Sequence, residues 1–171
     1  MSKTALKKYL ISLPEEEAKE QLLDLYQRFP AVKQYYDFIF NPKEEKLVQE
    51  VKTKISNEFF PVKRKRPKAR RSIAQKAIKH FITLGVSAHL IADVMLYTIE
   101  IGQTFSCDRT VPDSFFKSMH NSFAEAVPYI VQNGMLSMFQ SRIVAIYTAA
   151  QEQHWPNMSA FDKTIDLLEN E

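Results

Sequence analysis

Four polar side chains recur on one face of a predicted helix, at a spacing that could support metal binding or acid–base chemistry. They are His89, Asp93, Tyr97 and Glu100, separated by four, four and three residues. Side chains at these intervals lie along one face of a helix. His89 and Asp93 could ligate one metal ion, with Glu100 as a third ligand or a base. No partner motif lies on another predicted helix, so surface polar residues, or a His–Asp pair that bridges two helices, are the simpler interpretation. We assign no metal site.

A second group of residues, all basic, forms the most unusual segment of the chain. Residues 63–80 contain nine basic and no acidic side chains. By contrast, residues 1–62 have ten of each sign, and residues 81–171 have four basic and ten acidic residues. A dense run of like charge gains little from packing on itself and is typical of an interaction segment. The predicted polyanion-binding residues are Lys63, Arg64, Lys65, Arg66, Lys68, Arg70, Arg71 and Lys79.

The partner that this segment suggests is a phosphate-rich polymer. Basic side chains that neutralise phosphates release counterions, and this requires no reading of the nucleotide sequence. We therefore expect a non-catalytic binding module that engages a polyanion, RNA or a ribonucleoprotein foremost, through residues 63–79. Phe59 and Phe60, just upstream, could stack on bases. We favour core packing for both, and more so for Phe59, because it completes an apolar stripe.

Two alternatives to a polyanion partner remain open. The first is a protein–protein interaction scaffold, in which the basic strap lies on an acidic protein surface or on the acidic C-terminal half of this chain. The second is a solvated linker, because a run of like charges is also compatible with a segment that contacts only water.

The motifs of common enzyme classes are missing. The sequence contains no glycine-rich phosphate loop, nucleophile elbow or His-Glu-x-x-His motif. Cys107 is the only cysteine, which excludes an intramolecular disulfide and a cysteine-cluster zinc site. We therefore expect no cofactor and favour a protein that is not an enzyme. The most apolar stretch, residues 86–105, is interrupted by charged side chains, so we expect no membrane span and a cytoplasmic protein.

The elements that must position these residues are helices. Only three glycines occur in 171 residues, which is too few for the turns of a β-rich fold. Apolar residues recur at intervals of three and four along the chain, for example at positions 47, 51, 55 and 59. We predict an all-α fold of about eight helices in antiparallel hairpins, as an irregular bundle or a short α-solenoid. A single helical domain is expected over residues 1–171, with a basic connector at residues 61–71.

The basic segment is predicted to be extended up to Pro67 and helical beyond it. A helix that starts there would align Lys68, Arg71, Gln75 and Lys79 on the face opposite the apolar stripe. Cations near a helix N-terminus interact unfavourably with the helix dipole, and each one costs about 0.3–1 kcal/mol of stability. An arrangement that costs stability in this way suggests an anionic partner.

Other helix boundaries follow from glycine, proline and capping signals. All three glycines are expected where helices end, so the helix that begins after Ser87 should end near Gly102. Pro128 should kink or break the helix that contains it. Residues 159–162 resemble a capping box at the start of the last helix.

Weak internal similarity occurs at an offset of 71 residues. Residues 10–13 match residues 81–84 in kind, and residues 25–26 match residues 96–97. This pattern could mark a worn duplication of residues 7–60 in residues 78–132. Two amphipathic hairpins can also look alike by patterning alone, and we prefer that explanation.

Three short motifs resemble those of a known family. They are KTALKKYL at residues 3–10, YYDF at residues 35–38 followed by Asn41 and Pro42, and ADVMLY at residues 92–97. Together they resemble a family of bacterial helical proteins of unassigned function, and the resemblance covers most of the chain. It implies a bacterial cytosolic protein, and it carries over no catalytic residues.

Overall fold

The computed structural model describes residues 2–63 and 66–169, with only the backbone described at residues 167–169. Within these residues the chain forms helices and no strand. The helices are α1 (Lys3–Ser12), α2 (Glu15–Arg28), α3 (Pro30–Phe40), α4 (Glu44–Phe59), α5 (Arg71–Leu84), α6 (Ala88–Ser106), α7 (Asp113–Gln132), α8 (Leu136–Glu152) and α9 (Met158–Glu169). The all-α prediction is therefore confirmed. No helix in the described part of the chain is long and apolar enough to cross a membrane.

The chain divides into two compact units, Met1–Lys43 and Glu44–Glu171, where the sequence predicts one domain. In the first unit α2 and α3 pack against each other. Tyr26 donates a hydrogen bond to Asp37 at 2.6 Å, and this bond raises the pKa of Tyr26. None of α1, α2 and α3 contains a buried side chain. The first unit therefore has no apolar core of its own.

Helix α6 is the centre of the second unit. It packs against α4, α5, α7 and α8, and ten of its residues are buried. A helix whose apolar residues lie on all sides is expected in the interior, and the neighbouring helices cover those sides. The largest fully buried side chains of the unit are Phe59, Phe81, Phe123, Phe161, Ile55, Ile91, Leu96, Ile99, Met119, Ile130, Ile143 and Ile146.

The glycine prediction holds at two positions and is wrong at the third. Gly85 and Gly134 have φ values of 79° and 66° and follow helix ends. Gly102 lies inside α6, which continues to Ser106. A Cβ atom at position 102 would lie 2.4 Å from the Sδ atom of the buried Met119. A side chain at position 102 would therefore force Met119 to shift, so Gly102 permits the close approach of α6 and α7, and it does not end a helix.

The structure bears on two further boundary predictions. Helix α7 continues through Pro128 to Gln132, so Pro128 does not break the helix, and the alternative expectation of a kink stays a prediction. Proline removes one hydrogen bond of a helix, and the packing of α7 against α6, α8 and α9 stabilises the helix despite this loss. Helix α9 begins at Met158, so Ser159 lies inside the helix and is not its N-cap.

A duplicated unit, the alternative to coincidental patterning, would preserve the order of helices, and the order differs. At an offset of 71 residues, α3 corresponds to residues 101–111, where α6 ends and a loop follows. Residues 7–60 therefore contain a helix that residues 78–132 lack. This difference agrees with similarity that arises from amphipathic patterning alone.

Candidate polyanion-binding surface

The basic segment connects α4 to α5, and Glu58 on α4 holds its C-terminal part. The backbone N–H groups of Lys68 and Ala69 both donate to the carbonyl oxygen of Glu58, at 3.0 and 2.9 Å. Ala69 has a φ of 45°, a left-handed conformation that cannot continue a right-handed helix. Helix α5 begins only at Arg71, so the helix that was expected directly after Pro67 does not form there.

Arg70 forms a bidentate ion pair with Glu58. Its Nε and Nη2 atoms donate to Oε2 and Oε1 at 2.8 and 3.1 Å. Glu58 is only 7% exposed, and a buried carboxylate is stable only when it is paired and hydrogen-bonded. The hydrogen bond to Glu58 raises the pKa of Arg70. One of the predicted polyanion-binding residues therefore anchors the connector to α4.

Arg71 is also paired inside the protein. Its Nη2 atom lies 2.6 Å from Oε2 of Glu125, and its Nε atom donates to Oγ of Ser122 at 2.8 Å. Both partners belong to α7, and the Arg71 side chain is 14% exposed. This contact joins the basic segment to the acidic C-terminal half of the chain. At this one position it agrees with the alternative in which the basic segment lies on that half.

Other basic side chains of residues 63–80 are exposed and form no ion pair within the described parts of the chain. We call them the basic set, and they are Lys63, Arg66, Lys68, Lys76 and Lys79. Arg64 and Lys65, which the sequence also predicts as binding residues, lie outside the described residues. The structure therefore separates anchoring cations from cations that a partner could reach.

The basic face of α5 differs from the predicted face. Helix α5 buries Ala74, Phe81 and Leu84, and Arg71 flanks this stripe, from where it reaches α7. Lys68 precedes the helix. The exposed side of α5 instead carries Ser72, Lys76, Lys79, His80 and Thr83.

An open groove of about 410 Å³ lies next to the basic set, at the N-terminal ends of α5 and α7. Its polar lining consists of basic and serine side chains from Lys68, Arg70, Arg71, Ser72, Ser114 and Ser118. Phe105 and Phe115 contribute its apolar side, and no acidic residue is among the described residues that line it. Arg70 and Arg71 are already paired with Glu58 and Glu125, so Lys68 is the lining cation that forms no ion pair within the described residues. An anionic group in the groove could contact Lys68 and the serine hydroxyl groups.

Arg109 is a basic residue near this groove that no sequence pattern connects with residues 63–80. Its guanidinium carbon lies 4.7 Å from the ring centroid of Phe105 and 5.3 Å from that of Phe60. Its Nη1 atom donates to the carbonyl oxygen of Phe105 at 3.2 Å. Phe60 is half-buried and supports Arg109, whereas Phe59 is a core residue as predicted.

A comparison with protein families adds an assignment. A profile described as a family of unknown function, DUF6155, matches residues 1–169. The chain belongs to the DUF6155 family. This agrees with the resemblance to a family of unassigned function. No curated protein and no solved structure matches this DUF6155 chain.

Two of the three candidate metal ligands of the DUF6155 chain, Asp93 and Glu100, belong to an ion-pair network. Oδ2 of Asp93 is 2.6 Å from Nζ of Lys52, and Oδ1 is 2.7 Å from Nη1 of Arg142. Arg142 also donates two hydrogen bonds of 2.8 Å to Glu100. Burial alone would raise the pKa of Asp93, but the bonds to the two cations outweigh burial and lower it.

The ion-pair network accounts for the two carboxylates on the polar face of α6 that suggested metal binding or acid–base chemistry. It links α4, α6 and α8, and both oxygens of Asp93 already bind cations. His89 is exposed. In the described part of the chain no group of three or more His, Cys, Asp and Glu side chains could hold a metal ion. The Asp93 and Glu100 carboxylates therefore have a structural role in the packing of these helices.

Proposed function

We propose that this protein is a non-catalytic binding module that engages a polyanion, RNA or a ribonucleoprotein, through the basic set and the adjoining Arg64 and Lys65. One observation carries the proposal. The members of the basic set are exposed and unpaired within the described residues, although the C-terminal half of the chain carries an excess of acidic residues. In this proposal the protein works in the bacterial cytoplasm.

The ion pairs of Arg70 and Arg71 support such a role. They fix the C-terminal part of the connector to α4 and α7, so fewer conformations of Lys68 and its neighbours are lost when a ligand binds. A preorganised surface loses less entropy on binding than a mobile one. The pairs also leave Arg70 and Arg71 less able to contact phosphates than their sequence positions suggest.

The test is a titration with RNA at several salt concentrations. A surface that neutralises about five phosphates should give a log–log slope of roughly −3.5 for single strands and −4.5 for duplex. A variant with glutamine at all positions of the basic set should bind far more weakly and with a flatter slope. Arg70 and Arg71 stay unchanged in this variant because they form ion pairs with Glu58 and Glu125.

A matched control removes the same number of charges elsewhere. It carries glutamine at exposed lysines outside the connector, namely Lys3, Lys7, Lys8, Lys43 and Lys46. Lys and Gln have similar helix propensities, so both variants should keep their helix content. If the control loses RNA binding as fully as the first variant, RNA binding depends only on the net charge of the protein, and the assignment of the binding surface to the basic set is wrong. Absence of binding by the wild-type protein at low salt would overturn the proposed function.

A second candidate function, a protein–protein interaction scaffold, is favoured by the first unit. Its helices contain no buried side chain, and exposed large apolar residues include Leu10, Ile11, Leu23, Phe29 and Phe40. Contiguous exposed apolar surface is typical of interaction sites, and the scaffold function requires these side chains to form such a surface. Partners that co-purify after nuclease treatment would support this function, whereas partners that nuclease releases would support RNA binding.

A further inference from the structure

Arg109 presents a planar guanidinium that is supported on one side. A guanidinium clamped between two rings would separate their centroids by nearly the sum of its distances to each. The centroids of Phe60 and Phe105 are only 5.9 Å apart, whereas Arg109 lies 5.3 and 4.7 Å from them. Both rings therefore lie in the same general direction from the guanidinium carbon, and the guanidinium is not clamped between them. Since Arg109 is exposed, part of its side chain is accessible to a ligand.

The support beneath Arg109 is rigid. Phe105 is 6% exposed, and its ring centroid lies 5.7 Å from that of Phe59 and 5.9 Å from that of Phe115. Packed aromatic rings have few accessible rotamers, so their positions are well defined. The guanidinium is further oriented by the hydrogen bond from Nη1 to the Phe105 carbonyl. Arg109 is thus held in place before any ligand arrives.

The basic groove adjoins this platform. Phe105 belongs to both, because it supports Arg109 and also lines the groove with Lys68, Ser72 and Ser114. A flat cationic platform beside a basic groove matches the two parts of a nucleotide. The base has a π-face that stacks on arginine planes, and the phosphate is an anion that lysine and hydroxyl groups bind.

We propose that this surface binds single-stranded nucleic acid, with an unpaired base stacked on Arg109 and the adjoining phosphate in the groove next to Lys68. The inference rests on the proposed function, that the basic set binds a polyanion, and adds the class of polyanion. In a duplex both faces of each base are covered by its neighbours. A duplex therefore offers phosphates to the groove and no free base to Arg109, except at its ends.

The decisive comparison uses three labelled RNA probes with the same number of phosphates: a single strand, a blunt duplex of two annealed strands without a loop, and a strand of abasic nucleotides. Stacking contributes roughly 5- to 150-fold in affinity per base. We expect the wild-type protein to bind the single strand at least about fivefold more tightly than the abasic strand. Equal affinity for the base-bearing and abasic strands would overturn the proposal.

Arg109→Lys isolates the contribution of the planar guanidinium, since lysine keeps the positive charge and has no planar group on which a base could stack. We expect this variant to lose most of the preference for the single strand over the abasic strand, with an unchanged salt slope. Arg28→Lys, at an exposed arginine of the first unit, is the matched control and should bind like the wild type. An Arg109→Lys variant that keeps the full preference would contradict the role of Arg109.

The two proposals fail in distinguishable ways. If all three probes bind equally and the glutamine variant of the basic set abolishes binding, the polyanion function stands and the single-strand inference is wrong. If no probe binds at low salt, both are wrong. Binding of an acidic protein in place of RNA would favour the scaffold function and would also overturn the inference.

Discussion

At the scale of single residues, carboxylates decide which basic side chains remain available. The buried Glu58 forms an ion pair with Arg70, and Glu125 forms one with Arg71. A lysine at position 70 or 71 would not reproduce the paired N–H geometry of a guanidinium. The choice of arginine at these two positions is therefore explained by their internal partners, without reference to a ligand.

Asp93 provides a prediction about the pH dependence of stability. Because Lys52 and Arg142 lower the pKa of Asp93 in the folded protein, its contribution is complete above the ordinary pKa of an aspartate, about 4. The contribution is lost as the pH falls through the lowered folded-state value. Asp93→Asn should reduce the free energy of unfolding at neutral pH by about 1–2 kcal/mol, since the carboxylate is partly exposed.

Urea unfolding of the wild type and Asp93→Asn between neutral and acidic pH measures this effect. The difference in the free energy of unfolding should be largest at neutral pH and should shrink below pH 4 or so, as Asp93 becomes protonated. A difference that is constant across this range would mean that the charge of Asp93 contributes nothing.

At the scale of elements, the contact of α6 with α7 depends on the absence of a side chain at Gly102. Gly102→Ala should gain about 1 kcal/mol of helix propensity and lose about 1–3 kcal/mol through overpacking against Met119. Because Met119 is fully buried and has little room to move, we expect net destabilisation of about 1 kcal/mol or more. Thermal and urea unfolding of the single variant would measure it.

A double-mutant cycle with Met119→Ala separates overpacking from other effects. Removing the Met119 side chain should make Gly102→Ala neutral or stabilising, so the two changes should be strongly coupled. Gly134→Ala is the control, because Gly134 has space around it and a positive φ. It should be destabilising through backbone strain alone, with no coupling to Met119. Additivity of the Gly102 and Met119 changes would refute the close-approach explanation.

At the scale of the whole molecule, the two units differ in how much apolar surface they bury. The second unit has a core of large aromatic and aliphatic side chains, whereas α1, α2 and α3 contain no buried residue. Stability within a protein follows the local density of buried contacts. The first unit should therefore open more readily than the second.

Hydrogen exchange followed by mass spectrometry tests this difference. Amides of α1–α3 should exchange with an opening free energy at least about 3 kcal/mol below that of α6, whose residues lie in the core. If the protein acts as an interaction scaffold, a bound partner should slow exchange in α1–α3 specifically. Equal protection of both units in the free protein would contradict the expectation.

The sequence by itself determined the helical class, most helix positions and the location of the charge excess. These features depend on local spacing, because apolar residues at intervals of three and four define a helix face and prolines and glycines mark its ends. Of the predicted stripe in α4, Val51, Ile55 and Phe59 are buried, whereas Leu47 is half-buried. Local rules were insufficient at Gly102, where the deciding atom belongs to Met119 on another helix.

Only the tertiary structure decided which residues of the candidate site are free to bind. Arg70 and Lys68 look alike in the sequence, yet Arg70 is paired with Glu58 and Lys68 forms no ion pair within the described residues. Arg71 finds its partners on α7, and Arg109 joins the surface through Phe60 and Phe105. The physical reason is that ion pairs and ring contacts form between side chains far apart in the sequence. Their partners are therefore set by how the helices pack, and no local pattern of charge encodes that packing.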